Sequence, residues 1–212
     1  MSTEQLIDRL VSDLEDRSPL SRCRWPRLAI VTALASMVSL AAILLLFTRS
    51  PHFAHGPSRT ILFSVLAGVA LAAVGFAGAL KSSHPESRVS LSWLALPAAI
   101  LMTGLGLEMA DTPSSSWAAR FWGDSSTACF VCVTLLSLPI LGAALAVLRE
   151  GAPARPRLSG AMAGSLAGGI TAALYTLHCP EDSLLFVAFW HVLAVATVCI
   201  LGALAAGRWL RW

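Results

Sequence analysis

Six long apolar stretches constrain what this chain can fold into, at about 28–48, 60–80, 90–109, 126–148, 158–177 and 184–207. Each has the roughly 20 residues that a helix rising 1.5 Å per residue needs to cross about 30 Å of hydrocarbon. A segment in hydrocarbon must satisfy its own backbone hydrogen bonds, which leaves helices and closed barrels. Barrel strands alternate polar and apolar residues, and these runs do not. The expected fold is therefore all-α, a polytopic membrane bundle of six transmembrane helices. Composition agrees: 56% of the 212 residues are hydrophobic and only 13% are charged, against about 25% charged in a soluble domain. The charges crowd into the first 27 residues and the short breaks between runs. This divides the chain into a cytoplasmic N-terminal segment (1–27), a six-helix membrane domain (28–207) and a short cytoplasmic tail (208–212). The third run, with Pro97 and Glu108, is the least regular span. The opening residues lack a basic n-region and a small-residue cleavage site near residue 25, so the first span is expected to be retained.

Basic residues orient the bundle. Six spans put both termini on one side. If that side is cytoplasmic, Arg9, Arg17, Arg22, Arg24, Arg27, Lys81, Arg88, Arg149, Arg155, Arg157, Arg208 and Arg211 lie inside, twelve of the 15 Lys and Arg residues. Only Arg49, Arg59 and Arg120 fall outside. The positive-inside bias then places both termini in the cytoplasm. Trp25, Trp209 and Trp212 flank the cytoplasmic ends, and Trp117 and Trp122 precede the fourth span on the outer side, as headgroup-level anchors do.

Residues 3–16, "TEQLIDRLVSDLED", read as a short amphipathic helix with Leu6, Ile7, Leu10, Val11 and Leu14 on one face. Thr3 suits the N-cap, and Pro19 helps to stop the helix. A helix this short is marginal alone in water, so its apolar face needs a cover. Membrane-surface helices carry Lys and Arg on the polar face, whereas this one has five acids and a single base, Arg9. Such a helix suits the groove of a basic protein partner, or docking on the chain's own cytoplasmic loops.

Within the spans, Gly160, Gly164 and Gly168 recur every four residues. That spacing lets helix backbones approach closely. Gly68, Gly75, Gly78, Gly104 and Gly106 are read in the same way. Ionisable residues are sparse, with Glu108 near the outer end of span three and His191 one or two turns into span six. Such groups are functional candidates by default. No series of buried polar residues marks a transport path, which disfavours a metal permease.

The outer end also gathers cysteine. Cys129 and Cys132 form a C-x-x-C at the start of span four, and Cys179 lies in "HCPED" between spans five and six. Cys23 is cytoplasmic and Cys199 lies near the middle of span six. Positions i and i+3 share a helix face, which allows the Cys129 and Cys132 sulfurs to point the same way. Three chemistries fit. A soft metal site would add His178 and Cys179 to the thiols of span four. A redox switch would close two thiols, for example Cys129 and Cys179. A membrane thiol-disulfide oxidoreductase would need a quinone or flavin pocket, for which no motif is visible. Simple packing of a small polarizable side chain accounts for Cys132 and Cys199.

The same residues carry a family resemblance. Cys129 followed by "LLSLP", then "LREGAPARP", "GAMAGSLAGG", "YTLHCPE", Phe186 and Trp190, and the closing "LRW" resemble the NrsF-type anti-sigma factors. The opening "STEQLIDRLVSDL" looks like the family's as well. The resemblance implies a multi-pass protein of the bacterial inner membrane that sequesters an extracytoplasmic-function sigma factor of the SigF type. It implies no catalysis, no required cofactor and no direct contact with nucleic acid. The sigma factor would be held partly by the N-terminal segment, through Leu6, Ile7, Leu10, Val11 and Leu14, and released on heavy-metal or oxidative stress. By motif position the sensing cysteines are Cys129 and Cys179, engaging a transient metal or a disulfide. Cys132, His178, Glu181 and His191 would support them or add metal ligands. Two departures stand out: His191 occupies a position where the family usually has Tyr, and Cys132 is an additional thiol.

Overall fold

The computed structural model describes residues 3–5, 7, 9, 19–46, 58–82, 90–151, 153 and 155–210. No strand occurs among them. The principal helices are α1 (Pro19–Leu46), α2 (Arg59–Ser82), α3 (Ala95–Asp111), the short α4 (Trp117–Trp122), α5 (Ser126–Arg149) and α6 (Pro156–Thr176). The last, α7, covers Leu184–Trp209 and passes through a π-helical turn at Val187–His191. Six of these are long and apolar enough to cross a membrane, α4 being the exception.

The element boundaries have local causes. Pro19, read as a stop signal, is the first residue of α1, where its missing N–H leaves no helical bond unmade. The first helix therefore continues through the segment assigned to the cytoplasm without a break at residue 27. Pro97 falls in the first turn of α3 and does not interrupt it. A 3₁₀ turn, Leu91–Leu94, precedes that helix, its entry capped by the Ser90 side chain. Of the N-terminal apolar face, Ile7 is helical and exposed, while Leu6, Leu10, Val11 and Leu14 lie outside the described residues.

Helix α6 is the axis of the bundle. It is buried almost all round, with α2 on one side, α7 on another and α5 along a third. Its small residues explain why. A Cβ on Gly164 would meet the backbone of Val198 and Cys199, and one on Gly160 would overlap the Gly202 carbonyl of α7. On the opposite face, a Cβ on Gly169 would lie 2.7 Å from the Gly68 carbonyl and the Ala72 nitrogen of α2. Backbones thus touch where larger side chains would hold them apart. Gly106 differs from the expectation, since nothing lies within 4 Å of a Cβ placed there.

Large apolar side chains meanwhile cover the outside, including Met37, Val38, Leu45, Met102 and Ile200. A soluble monomer rarely exposes such a continuous apolar surface.

The bundle has two chemically distinct ends. At one, Arg27 pairs with Glu150, Lys81 lies 4.0 Å over the Trp93 ring, and Leu28, Leu148, Met162 and Leu210 pack together. At the other, Ser58 donates to Asp182 at 2.8 Å, Arg59 to Asp111 at 2.8 Å and Arg120 to Glu108 at 2.8 Å. These bonds tie the start of α2 and the end of α3 to α4 and to the loop before α7. Below them a second core joins Cys129, Val133, Tyr175, Cys179, Phe186 and Val187.

Candidate functional site

Two carboxylates build the polar end. Glu108, at the end of α3, accepts bonds from the Ser183 hydroxyl at 2.8 Å, the Leu185 N–H at 3.2 Å and the Leu184 N–H. The first N–H groups of a helix have no partner within it and favour a negative charge. Glu108 meets both needs at the start of α7, and Arg120 balances its charge. Glu181 instead holds the turn just before α5. Ser125 precedes that helix without a side-chain cap bond, and the Glu181 carboxylate accepts from the Asp124 N–H at 2.9 Å and the Ser125 hydroxyl at 3.2 Å. The loop after α6 is thereby fastened to the beginning of the helix that carries Cys129.

That fastening presents Cys179 to Cys129. The N–H groups of His178 and Cys179 both donate to the Tyr175 carbonyl at 2.9 Å, which curls the chain as α6 ends. The Cys129 and Cys179 sulfurs then lie 3.3 Å apart. The Tyr175 hydroxyl and the Ser125 hydroxyl each lie 3.8 Å from the Cys129 sulfur. Both cysteines are free thiols, 0% and 4% exposed. The hydrogen bond with Cys129, and then burial, raise the Cys179 thiol pKa well above its ordinary value.

His191 completes the group. Its ring nitrogen and the two sulfurs lie within 4.8 Å of one another. The residue is 3% exposed, and neither ring nitrogen has a hydrogen-bond partner. The Tyr175 and Phe186 rings stand edge-on to it at 6.1 and 6.4 Å. His191 ends the π-helical turn of α7, and such turns recur at functional sites. In a regular α-helix, residues five apart point about 140° from each other. The π turn allows Phe186 and His191 to be buried together.

The other sequence candidates fall elsewhere. Cys132 is half-buried against the same core and outside the three-donor group. The sulfur beside Cys129 therefore comes from the loop after α6 and not from the other thiol of the C-x-x-C. His178 also stands apart, its Nδ1 3.5 Å from the Leu174 carbonyl of its own helix. Cys199 lies 3.3 Å from the Ser165 hydroxyl across the α6–α7 contact.

Helix α4 packs against the first turns of α7. The Trp190 indole donates to the Phe121 carbonyl of α4 at 3.0 Å. Gly123 turns the chain from α4 toward α5 at φ +53°, where a Cβ would strike the Phe186 ring and the Glu181 carboxyl carbon. An apolar cleft of about 410 Å³ opens on the other side, between α2, α3, α6 and α7, with Ser64, Met102, Val195 and His191 among its walls.

Comparison with known proteins identifies the family of the chain. The family described as negative regulator of sigma F matches residues 10–212. The chain belongs to that family. Among its relatives is the anti-sigma-F factor NrsF of Caulobacter vibrioides, 30% identical over 221 aligned positions that cover 100% of both chains. Another is the probable anti-sigma-F factor NrsF of Azospira oryzae, 33% identical over 148 positions, covering 67% of this chain and 68% of the relative. No solved structure matches the chain. The family match spans all three donors of the buried group, and the relatives' names describe regulators rather than catalysts.

Proposed function

We propose that this anti-sigma-F family member is a membrane-bound anti-sigma factor of the bacterial inner membrane, with both termini in the cytoplasm. It sequesters an extracytoplasmic-function sigma factor of the SigF type and releases it when Cys129 and Cys179 encounter a heavy metal or an oxidant. The cytoplasmic grip includes the N-terminal face formed by Leu6, Ile7, Leu10, Val11 and Leu14. The observation that carries the sensing role is the 3.3 Å approach of two buried thiols, fifty residues apart in sequence and on separate structural elements.

Each stimulus would change that separation in a different direction. Disulfide formation draws the sulfurs to about 2.05 Å. The two S–H bonds break and the S–S bond forms, while two electrons and two protons pass to a two-electron oxidant such as a peroxide. A cation held by both thiolates at about 2.3 Å in a tetrahedron spreads them to about 3.8 Å and releases two protons to water. Either change alters how α5 meets the end of α6. It can shift the grip on the sigma factor only through unequal affinity for two packings.

Replacing Cys129 or Cys179 with Ser should abolish metal or oxidant induction of a sigma-dependent reporter while keeping basal repression. Normal induction in both mutants would refute the sensing role. Removing residues 1–16 should abolish co-purification with the sigma factor.

A further inference from the structure

We propose that His191 is the third protein ligand of a soft-metal site formed with Cys129 and Cys179. This rests on the reading of the two cysteines as the sensor and extends it to a defined donor set for a divalent d¹⁰ cation. Three observations converge. The donor atoms come from α5, the α6–α7 connection and the π turn of α7, and they lie within 4.8 Å of one another. The His191 ring is buried with both nitrogens unpartnered, a costly state that more than nine-tenths of buried polar groups avoid. The donor chemistry, two sulfurs and an imidazole, is that of zinc and its softer congeners.

Charge makes the site workable at this depth. Two thiolates cancel a divalent cation, and a neutral imidazole adds a donor without adding charge. The loaded site is therefore neutral overall, so it escapes most of the penalty for burying an unpaired ion. Each bound cation releases two thiol protons. The sulfurs need only open from 3.3 Å to about 3.8 Å to share a tetrahedral ion.

The test uses full-length protein in detergent under reducing conditions, with Cd²⁺ alone as the probe. Thiolate-to-cadmium charge-transfer absorption reports binding, and competition with a chelator reports affinity. Wild type should bind one Cd²⁺. His191→Ala should bind about tenfold more weakly or worse, since even the hydrogen-bond partner of a ligand is commonly worth that much. His191→Cys, which restores a soft donor, should bind at least as tightly as wild type. Oxidant-driven cross-linking of Cys129 to Cys179 in His191→Ala verifies that the thiol pair is intact. Should that variant fail to cross-link, the contrast between His191→Cys and His191→Gln decides the matter.

No Cd²⁺ binding by wild type would overturn the site and leave disulfide sensing standing. Equal affinity in wild type and His191→Ala, or in His191→Gln and His191→Cys, would remove His191 from it. Failure of the sensor reading looks different: Cd²⁺ would bind with the expected His191 dependence, while the Cys→Ser strains still induced normally.

Discussion

At the scale of single residues, the site depends on groups that shape it without being reactive. Glu181 holds the turn that leads into the Cys129 helix, and Glu108 caps the start of α7, which carries His191. Cys179 shows the opposite effect, a reactive group held back by its surroundings. Its pKa is raised from an ordinary 9.0, first by the hydrogen bond with Cys129 and then by burial. A raised pKa leaves less thiolate at any given pH, and the thiolate is the nucleophile. Alkylation of Cys179 in the reduced protein should therefore be slower than that of a free thiol at neutral pH. Its rise with pH should be displaced to the alkaline side, as mass spectrometry of iodoacetamide-treated protein can measure. A profile matching free cysteine would show that the bond and the burial do not hold in solution. The bonds made by Glu181 were hidden in the sequence because a partner supplied by a distant loop leaves no local spacing to read. His191, by contrast, was visible as an ionisable group inside an apolar span.

At the scale of elements, the glycines of α6 separate packing from mere composition. A side chain at Gly160 meets the backbone of α7, whereas one at Gly106 meets nothing within 4 Å. Gly160→Leu should destabilise the detergent-solubilised protein by about 1–3 kcal/mol, the usual cost of overpacking. Gly106→Ala should be neutral or gain about 1 kcal/mol, because Ala is the better helix former. Thermal unfolding of the two variants side by side checks both. The sequence showed six helices because a long apolar run needs no periodicity to be recognised. It could not show which glycines touch a neighbour, since Gly106 and Gly160 look alike until the helices are assembled. The π turn at Val187–His191 was equally hidden, as no composition marks where one turn of a helix widens.

At the scale of the whole molecule, the connections divide between two ends, with Arg120, Glu108 and Glu181 at one, and Arg27, Lys81 and Arg149 toward the other. If the end bearing the thiols faces outward, a membrane-impermeant maleimide added to spheroplasts should label Ser115→Cys in a background without other cysteines. Arg155→Cys should be labelled only after the membranes are opened, and the reverse pattern would invert the proposed topology. The orientation was read from charge alone. The sequence offered Cys129 and Cys179 as one possible pair, which the family motif singled out, but a separation of fifty positions leaves their approach undefined until α5 and α6 pack. The two cysteines are 0% and 4% exposed. If these thiols are the proposed detector, it would be selective by passage as well as by affinity. Bulky thiol reagents such as glutathione disulfide would be turned away by size before their chemistry mattered, while a bare metal ion or a small peroxide would need only a brief local opening. The frequency of that opening would then set a ceiling on how fast the cell could be alerted, however strong the stimulus.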